Sequence, residues 1–274
     1  LTAILQRKSF QAGIWMAGPI CMKVFPAFLL LYPLWRRDAR CAAGCALGLF
    51  LGLIALPGAV FGPERTVSYY EEFADLIILP GIGQGKNQER AETLHAITKT
   101  DTQSFMAMMH NAIYRDINAR PANPTSTVRA IHWGIGLVLT GVLCWAVGWR
   151  DQERPLGNMM FLGLLSMLMM FLSPVCHLHY YGWLLPVIMG ALMLQWENRR
   201  TIAVGIGWMA LIALNITVHI LAHLTENPEI RFFRELGFTT YVGLLIGAVG
   251  VVHLYRLMRK QESAPAEIRL PMAA

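Results

Sequence analysis

Hydrophobic residues along the chain form long runs that are separated by short polar or basic links. The runs cover roughly 10–35, 41–62, 130–149, 157–173, 179–195, 201–222 and 238–256. A helix needs about 20 apolar residues to cross a bilayer, and in lipid its backbone polar groups must be paired internally. The alternation expected of transmembrane β-strands is absent. The pattern predicts an all-α, polytopic membrane helical bundle with about seven membrane segments, in a single membrane domain that covers 1–274.

One longer polar stretch, 63–129, separates the second run from the third. Acidic residues spaced along its first part predict an amphipathic helix near 64–79. A second amphipathic helix is predicted near 101–118, with Thr100 or Asp101 as its N-cap. A following Arg-Pro-Ala-Asn-Pro run ends it, because a residue before proline avoids the helical region. The stretch is therefore predicted to be a mostly helical loop.

Basic residues in the short links predict the orientation. The clusters are Arg36, Arg37 and Arg40; Arg150 and Arg154; Arg199 and Arg200; and Arg256, Arg259 and Lys260. If each later run crosses once, all four clusters lie on one face, which the positive-inside rule makes cytoplasmic. The stretch 63–129 and the links 174–179 and 223–237 then lie outside, and the C-terminus is cytoplasmic. We expect a bacterial inner-membrane protein with a disordered tail at 261–274.

The first run allows two arrangements. As a single kinked helix it would place Arg7 and Lys8 outside, against the other clusters. It also contains Pro19, Pro26 and, between them, Lys23. A broken, re-entrant pair would keep both ends cytoplasmic and put Lys23 near the break, where irregular backbone requires burial in protein or a polar cavity. Both arrangements fit the sequence.

Composition agrees with this class of protein. Hydrophobic residues make up 55% of the 274 positions and charged residues 15%, against about 25% charged in soluble domains. The net charge of +6 is spread over the short basic clusters, so it predicts membrane orientation and no nucleic-acid partner. Five cysteines without paired spacing predict no disulfide framework.

Lys23 is the first candidate for chemistry. An ionised lysine at mid-bilayer depth costs about 3 kcal/mol on insertion scales, so an anionic partner is expected. A lipid phosphate that reaches into the membrane is one such partner. A carboxylate of another helix, or snorkelling of the side chain to the interface, is the structural alternative.

A second candidate follows the fourth run, in the sequence SPVCHLHYY. Its proline breaks the helix at the predicted outer face, and His177, His179 and Tyr180 follow. Imidazole there could exchange protons or bind a sugar or phosphate, although interfacial aromatic residues are also common at this depth. Cys176, His177 and His179 match no usual zinc spacing, so we predict no metal site and no cofactor, with a divalent metal left open.

A third candidate, Asp101-Thr-Gln103-Ser104 with His110 further along, lies at the start of the predicted second loop helix. Backbone N–H groups and hydroxyls at a helix start suit an anion. The same residues also suit an ordinary helix N-cap.

Three elements resemble one family. AGIWMAGPICMKVFPAFLLLYPLWRRDAR resembles the glycine- and alanine-rich Lys-x-x-Pro segment of the GT-C glycosyltransferases of family 87 (DUF2029 proteins). Asp-Thr-Gln-Ser is similar to that family's outer-loop Asn-Gln-Ser or Asp-Ser-Gln-Ser element. SPVCHLHYY resembles its Ser-Pro-x-x-x-x-His-His element, although His177 stands two residues before His179 rather than next to it.

The resemblance implies a GT-C-like bundle that transfers a mannose- or pentose-like sugar from a polyprenyl-phosphate donor to a glycan or glycolipid acceptor of the envelope. By the same resemblance Lys23 contacts the donor phosphate. Gln103 and Ser104, with Asp101, line a substrate site. His179 and His177 are the catalytic candidates, and His110 and Tyr180 join the substrate-binding set.

The family also uses an aspartate of the first outer loop as the general base, because an acceptor hydroxyl near neutral pH needs a positioned base. No matching segment is present in this sequence, which begins at Leu1 without a methionine. The aspartates available in the predicted outer loop are Asp75, Asp101 and Asp116. None of these lies in a context that matches the family's base, so the chain alone is expected to lack activity. We expect it to be either the later part of a longer enzyme or a chain whose gene start is wrongly assigned.

Two other functions remain open. A transporter or flippase for a lipid-linked or anionic solute could also use a mid-membrane lysine and broken helices, but commonly shows repeated halves, and no repeat is visible. A catalytically incomplete membrane scaffold would tolerate replacement of Lys23 and His179.

Overall fold

A computed structural model of the chain describes residues 2–23, 25–79, 102–116, 119–121, 123–148, 155–173, 176–196, 201–225 and 228–259. These residues are almost entirely helical and contain no strand. The prediction of an all-α membrane bundle is confirmed. The tail 261–274, for which disorder was predicted, lies outside the described residues.

The helices are α1 (Thr2–Leu5), α2 (Ser9–Met22), α3 (Leu31–Trp35), α4 (Ala39–Phe61), α5 (Pro63–Phe73), α6 (Phe105–Ile113), α7 (Ser126–Val147), α8 (Pro155–Leu172), α9 (Leu185–Trp196), α10 (Thr201–Leu224), α11 (Pro228–Glu235) and α12 (Phe238–Arg259). Two 3₁₀ segments, Phe25–Leu30 and Leu178–Leu184, lead into α3 and α9. Among the described residues, α4, α7, α8 and Phe238–Met258 of α12 are long and apolar enough to cross a membrane.

The first apolar run is a broken pair and not a single kinked helix. Helix α2 ends at Met22, Lys23 is extended, and the 3₁₀ segment with α3 returns the chain before α4 begins. Close approaches join Gly13 to Cys41, and Gly48 to Ala17. Because the position along α4 increases with the position along α2, these two helices are parallel. The two ends of the first run therefore lie at one end of the bundle.

Glycines allow the parallel helices to approach backbone to backbone. A Cβ atom on Gly13 would overlap the carbonyl oxygen of Cys41, and one on Gly44 would overlap the carbonyl oxygen of Phe10. Small residues at such contacts are the usual means of close helix packing in membranes. These glycines thus determine that α2 packs against α4.

The later helices alternate in direction around the buried helix α8. At one end of the bundle Arg36 donates a hydrogen bond to Asn158, and the Trp35 indole N–H donates to the carbonyl of Gly148 at 3.1 Å. We call this end, where Arg7, Arg36, Arg37 and Arg40 line one cavity, the arginine end. At the opposite end, the loop end, His132 near the start of α7 meets the last carbonyl of α8.

Two loop helices were predicted, with different accuracy. The first is confirmed, since α5 and a π-helical turn at Ala74–Ile78 occupy the predicted 64–79. The second is shorter than the predicted 101–118. Its N-cap is Ser104, whose Oγ accepts from the backbone N–H of Ala107 at 3.2 Å, and not Thr100 or Asp101. The hydroxyl nearest the apolar stretch forms the cap.

We expect Gly44→Ala to destabilise the bundle by about 1–3 kcal/mol, because the new methyl group overfills a closely packed contact. Gly18→Ala on α2 is the matched control, since no atom lies within 4 Å of a Cβ at that position. The measurement is the midpoint of thermal unfolding in detergent. Equal midpoints for the two variants would contradict the packing described for α2 and α4.

Candidate functional site

The break after α2 places Lys23 beside the segment that follows α8. The Lys23 Nζ atom donates a hydrogen bond to the Tyr180 hydroxyl at 2.8 Å. It also lies 4.9 Å from the centre of the Tyr180 ring and 5.9 Å from that of Phe25. The ammonium group is thus held by one hydroxyl and two aromatic faces, while the side chain remains exposed.

No carboxylate among the described residues forms an ion pair with Lys23; the ion pair described joins Arg120 and Glu235. An ammonium group carries three donors, and the Tyr180 hydroxyl accepts one of them. The structural alternative of a carboxylate on another helix therefore has no support within the described part of the chain. The remaining donors suit an anionic oxygen.

His177 lies on the same side of this group. Its ring is 5.7 Å from the Tyr180 ring in an edge-on arrangement, and its carbonyl accepts the N–H of Tyr180 at 3.0 Å. The structure thus brings together Lys23, His177 and Tyr180 of the predicted site. The side chain of His179 lies outside the described residues, although its backbone belongs to the 3₁₀ segment.

Gln103 joins the loop to the bundle behind this group. Its N–H donates to the carbonyl of Cys176 at 2.8 Å, and its side-chain amide donates to the carbonyl of Arg234 at 2.8 Å. The Gln103 carbonyl accepts from the hydroxyl of Thr240 at 2.7 Å. Gln103 is fully buried and its Oε1 atom has no hydrogen-bond partner. It anchors the segment that carries His177 and Tyr180.

Tyr181 strengthens the same anchor from the other side. Its hydroxyl lies 2.9 Å from the Thr240 hydroxyl and 3.4 Å from the Gln103 carbonyl. The SPVCHLHYY segment is therefore fixed to α12 by Tyr181, while its neighbour Tyr180 points to Lys23. Because one of the two adjacent tyrosines anchors the segment, the hydroxyl of the other is held at a defined position beside Lys23.

The other predicted loop residues lie in packing. Ser104 is fully buried as the N-cap of α6. His110 is also buried, with Nε2 2.8 Å from the carbonyl of Pro121 and the ring 5.0 Å from Tyr114. Asp101 lies outside the described residues. Contact of any of these residues with a substrate stays a prediction.

A buried ion pair that sequence reasoning missed holds the loop to α11. Arg120 Nη2 is 3.1 Å from Glu235 Oε2, with side-chain exposures of 0% and 4%. Arg120 Nε also donates to the carbonyl of Tyr114 at 2.9 Å. The partners are 115 residues apart, so no local pattern indicated the pair. The sequence signal available was that two separate polar stretches, 63–129 and 223–237, contain residues of opposite charge near their ends.

Possible bases and metal ligands are sparse in the described residues. Asp75 and Asp116 are both exposed. Groups of three or more His, Cys, Asp or Glu that could hold a metal ion are not found in the part of the chain that the structure describes. The described side chains at the site, the ammonium of Lys23, the imidazole of His177 and the hydroxyl of Tyr180, can bind and orient an anionic oxygen.

The fold and this site define a polytopic membrane protein with an exposed cation, held by aromatic residues, at a break in its first membrane segment. The model of glycosyltransferase family 87 matches residues 1–174, more than half of the 274 residues. The chain belongs to glycosyltransferase family 87, and the suspected family is confirmed. No curated protein and no solved structure matches the chain. Membership of the family indicates a membrane glycosyltransferase.

We expect Arg120→Met to destabilise the protein by about 3–5 kcal/mol, because it leaves the Glu235 carboxylate buried without a cation. The double variant Arg120→Met/Glu235→Leu should recover much of this loss. Arg65→Met, on the exposed face of α5, is the control and should be close to neutral. The check is a double-mutant cycle of unfolding midpoints, and additive losses would contradict a coupled pair.

A pH dependence is expected for the α6 region. Burial lowers the pKa of His110; the hydrogen bond to Pro121 partly offsets this, and the Arg120 guanidinium lowers the pKa further. Because the folded loop favours neutral imidazole, its stability is complete above the ordinary value of 6.5 and decreases as the pH falls through it. The protection factors of residues 105–113, which remove the intrinsic pH dependence of amide exchange, should therefore fall as the pH is lowered below this value.

His110→Gln should remove most of that pH dependence, whereas His223→Gln, at an exposed position, should leave it intact. If the His110 variant kept the wild-type pH profile of exchange, another group would control the loop.

Proposed function

We propose that this protein transfers a sugar from a polyprenyl-phosphate carrier to a glycan or glycolipid acceptor of the bacterial envelope. The observation that carries the proposal is the exposed Lys23 ammonium, held by Tyr180 and Phe25 at a break inside a membrane segment. A cation at membrane depth needs an anionic partner, and a lipid-linked phosphate can reach it from the bilayer.

In this proposal the loop end faces the outside of the inner membrane and the C-terminus lies in the cytoplasm. The support is the positive-inside rule applied to the arginine end, where Arg256 of α12 joins the arginines near α4. The stacking of Trp145 on Tyr255, with ring centres 4.9 Å apart, together with the bond from Trp35 to Gly148, supports this grouping.

The reaction would proceed with inversion. A lone pair of the acceptor hydroxyl attacks the anomeric carbon, and the bond from that carbon to the phosphate oxygen breaks. The electron pair of the broken bond leaves with the polyprenyl phosphate. Lys23 offsets the negative charge that builds up on the leaving phosphate, and a base takes the hydroxyl proton. Of the outer-loop aspartates, Asp75 and Asp116 are exposed, so their carboxylates are accessible to accept a proton.

The remaining predicted residues receive roles in the same proposal. His177 and His179 orient the phosphate or the sugar, and Tyr180 holds the ammonium of Lys23 in place. Gln103 and Ser104, with Asp101 and His110, contribute to the substrate site from the loop. The Oε1 atom of Gln103, buried and without a hydrogen-bond partner among the described residues, supports a polar contact with a substrate group there.

Lys23→Met should lower sugar transfer by about 10²–10³-fold, the usual effect of removing one group that stabilises transition-state charge. Lys23→Arg should retain part of the activity, since it keeps the charge. The measurement uses membranes that contain the full chain, with radiolabelled polyprenyl-phosphate mannose and, separately, the arabinofuranose donor. Released polyprenyl phosphate and labelled product are both counted.

Arg65→Met, which removes an exposed cation of α5, is the matched control and should transfer at the wild-type rate. Wild-type transfer by Lys23→Met would overturn the role of the lysine. Uptake of labelled lipid or solute into vesicles without any sugar transfer would favour the transporter. If Lys23→Met lowers neither transfer nor uptake, the scaffold is favoured.

A further inference from the structure

A cavity of about 380 Å³ lies at the arginine end, away from Lys23. Its wall is built from three parts of the chain: the α1–α2 turn, the α3–α4 turn and the start of α8. Small-molecule sites are commonly clefts of about 300–1,000 Å³, so this cavity has the size of a ligand site. The sequence analysis used its arginines for orientation alone.

The described part of the cavity wall carries more basic than acidic side chains. Arg7, Arg36, Arg37 and Arg40 line it, and Asp38 is the one carboxylate among the described lining residues. Asp38 Oδ1 already accepts the N–H of Cys41 at 2.9 Å as the N-cap of α4. Four guanidinium groups against one carboxylate leave a net charge of +3 on the described wall. Guanidinium forks match phosphate oxygens in pairs.

Helix starts add to the positive field. Ser9 of α2, Ala39 of α4 and Pro155 of α8 all line the cavity, and each is the first residue of its helix. These helices run away from the cavity, so the positive ends of three helix dipoles point at it. Helix α2 has no side-chain cap, which leaves its first N–H groups open to an anion.

Two of the arginines have an unusual backbone conformation. Arg7 has φ +57° and Arg37 has φ +51°, a region that favours glycine and costs other residues about 1 kcal/mol or more. Each residue ends a helix, α1 or α3, and the N–H of the next residue donates back to the carbonyl of Ala3 at 2.8 Å or of Pro33 at 2.9 Å, as at other left-handed helix ends. Here each strained turn presents a guanidinium group to the same cavity, where glycine would relieve the strain but supply no charge.

We propose that this cavity binds a phosphate-bearing anion, distinct from the donor phosphate at Lys23. Two sources share that chemistry: the headgroup of an anionic phospholipid in the adjacent leaflet, and a soluble phosphate compound. Basic pockets between membrane helices commonly hold anionic headgroups. The cavity also joins α2, α4 and α8, so an occupant would clamp the arginine end of the re-entrant pair.

The test uses the full chain purified in a neutral maltoside detergent. In one arm, inorganic pyrophosphate is titrated and the thermal midpoint gives an apparent affinity. In the other arm, the protein is placed in nanodiscs of phosphatidylcholine with or without phosphatidylglycerol, and retained phosphatidylglycerol is counted by native mass spectrometry. The variant Arg7→Gly/Arg40→Gln removes two exposed arginines, and glycine is the residue best suited to the positive φ of Arg7.

This variant should fold and should bind at least about tenfold more weakly, since hydrogen bonds to charged groups contribute about one power of ten each. Arg256→Gln, which removes a cation near the same end but outside the cavity wall, should bind as the wild type does. Midpoint shifts with pyrophosphate identify a soluble ligand. Retention of phosphatidylglycerol that pyrophosphate cannot displace identifies a headgroup.

Three results would overturn the proposal. The wild-type protein could bind neither anion, the Arg7→Gly/Arg40→Gln variant could bind as tightly as the wild type, or Arg256→Gln could lose as much affinity as that variant. The last result would reduce the effect to the overall positive charge of this face. Sugar transfer is measured in parallel, so failure here leaves the assignment of Lys23 separately testable.

Discussion

The close contact between α2 and α4 determines most of what surrounds it. With no side chain at Gly13 and Gly44, the two backbones touch, and the order of these contacts along both helices shows that the helices run in the same direction. A chain that leaves α2 and enters α4 in parallel must first return across part of the membrane. The extended Lys23, the 3₁₀ segment and α3 are that return. The exposed ammonium group is therefore a result of glycine packing some distance away.

A second constraint fixes the partner of that lysine. The segment after α8 could place its tyrosines in many ways, but Gln103, Tyr181 and Thr240 tie it to the loop and to α12 through three hydrogen bonds. Arg120 and Glu235 hold the same loop to α11. The Tyr180 hydroxyl thus meets Lys23 from a rigid support, which is what a phosphate site requires to orient its ligand.

The sequence predicted the membrane helices because their run lengths and flanking arginines depend on local composition. It left the first run undecided, since Lys23 between two prolines fits a kink as well as a return. The deciding contacts, such as Gly44 with Phe10, are distant in sequence. The environment of Gln103 was equally hidden, because its side-chain partner is 131 residues away. Lys23 was found from its charge within an apolar run, and His177 and Tyr180 from the break after the fourth run, with the family motif in agreement; their mutual contact was not predicted.

The shortness of α2 has a consequence for the surrounding lipid. From Ser9 to Lys23 the helix rises about 21 Å at 1.5 Å per residue, while the hydrocarbon core of a bilayer is about 30 Å thick. With Ser9 at the near edge of the hydrocarbon core and α2 along the membrane normal, the backbone of Lys23 stops roughly 9 Å short of the far edge of an undeformed membrane. If the proposed donor is correct, its phosphate must sink by that distance or the bilayer must thin locally, and such mismatch costs a fraction of a kcal/mol per Å. Acyl-chain length would thereby enter the energetics of donor binding.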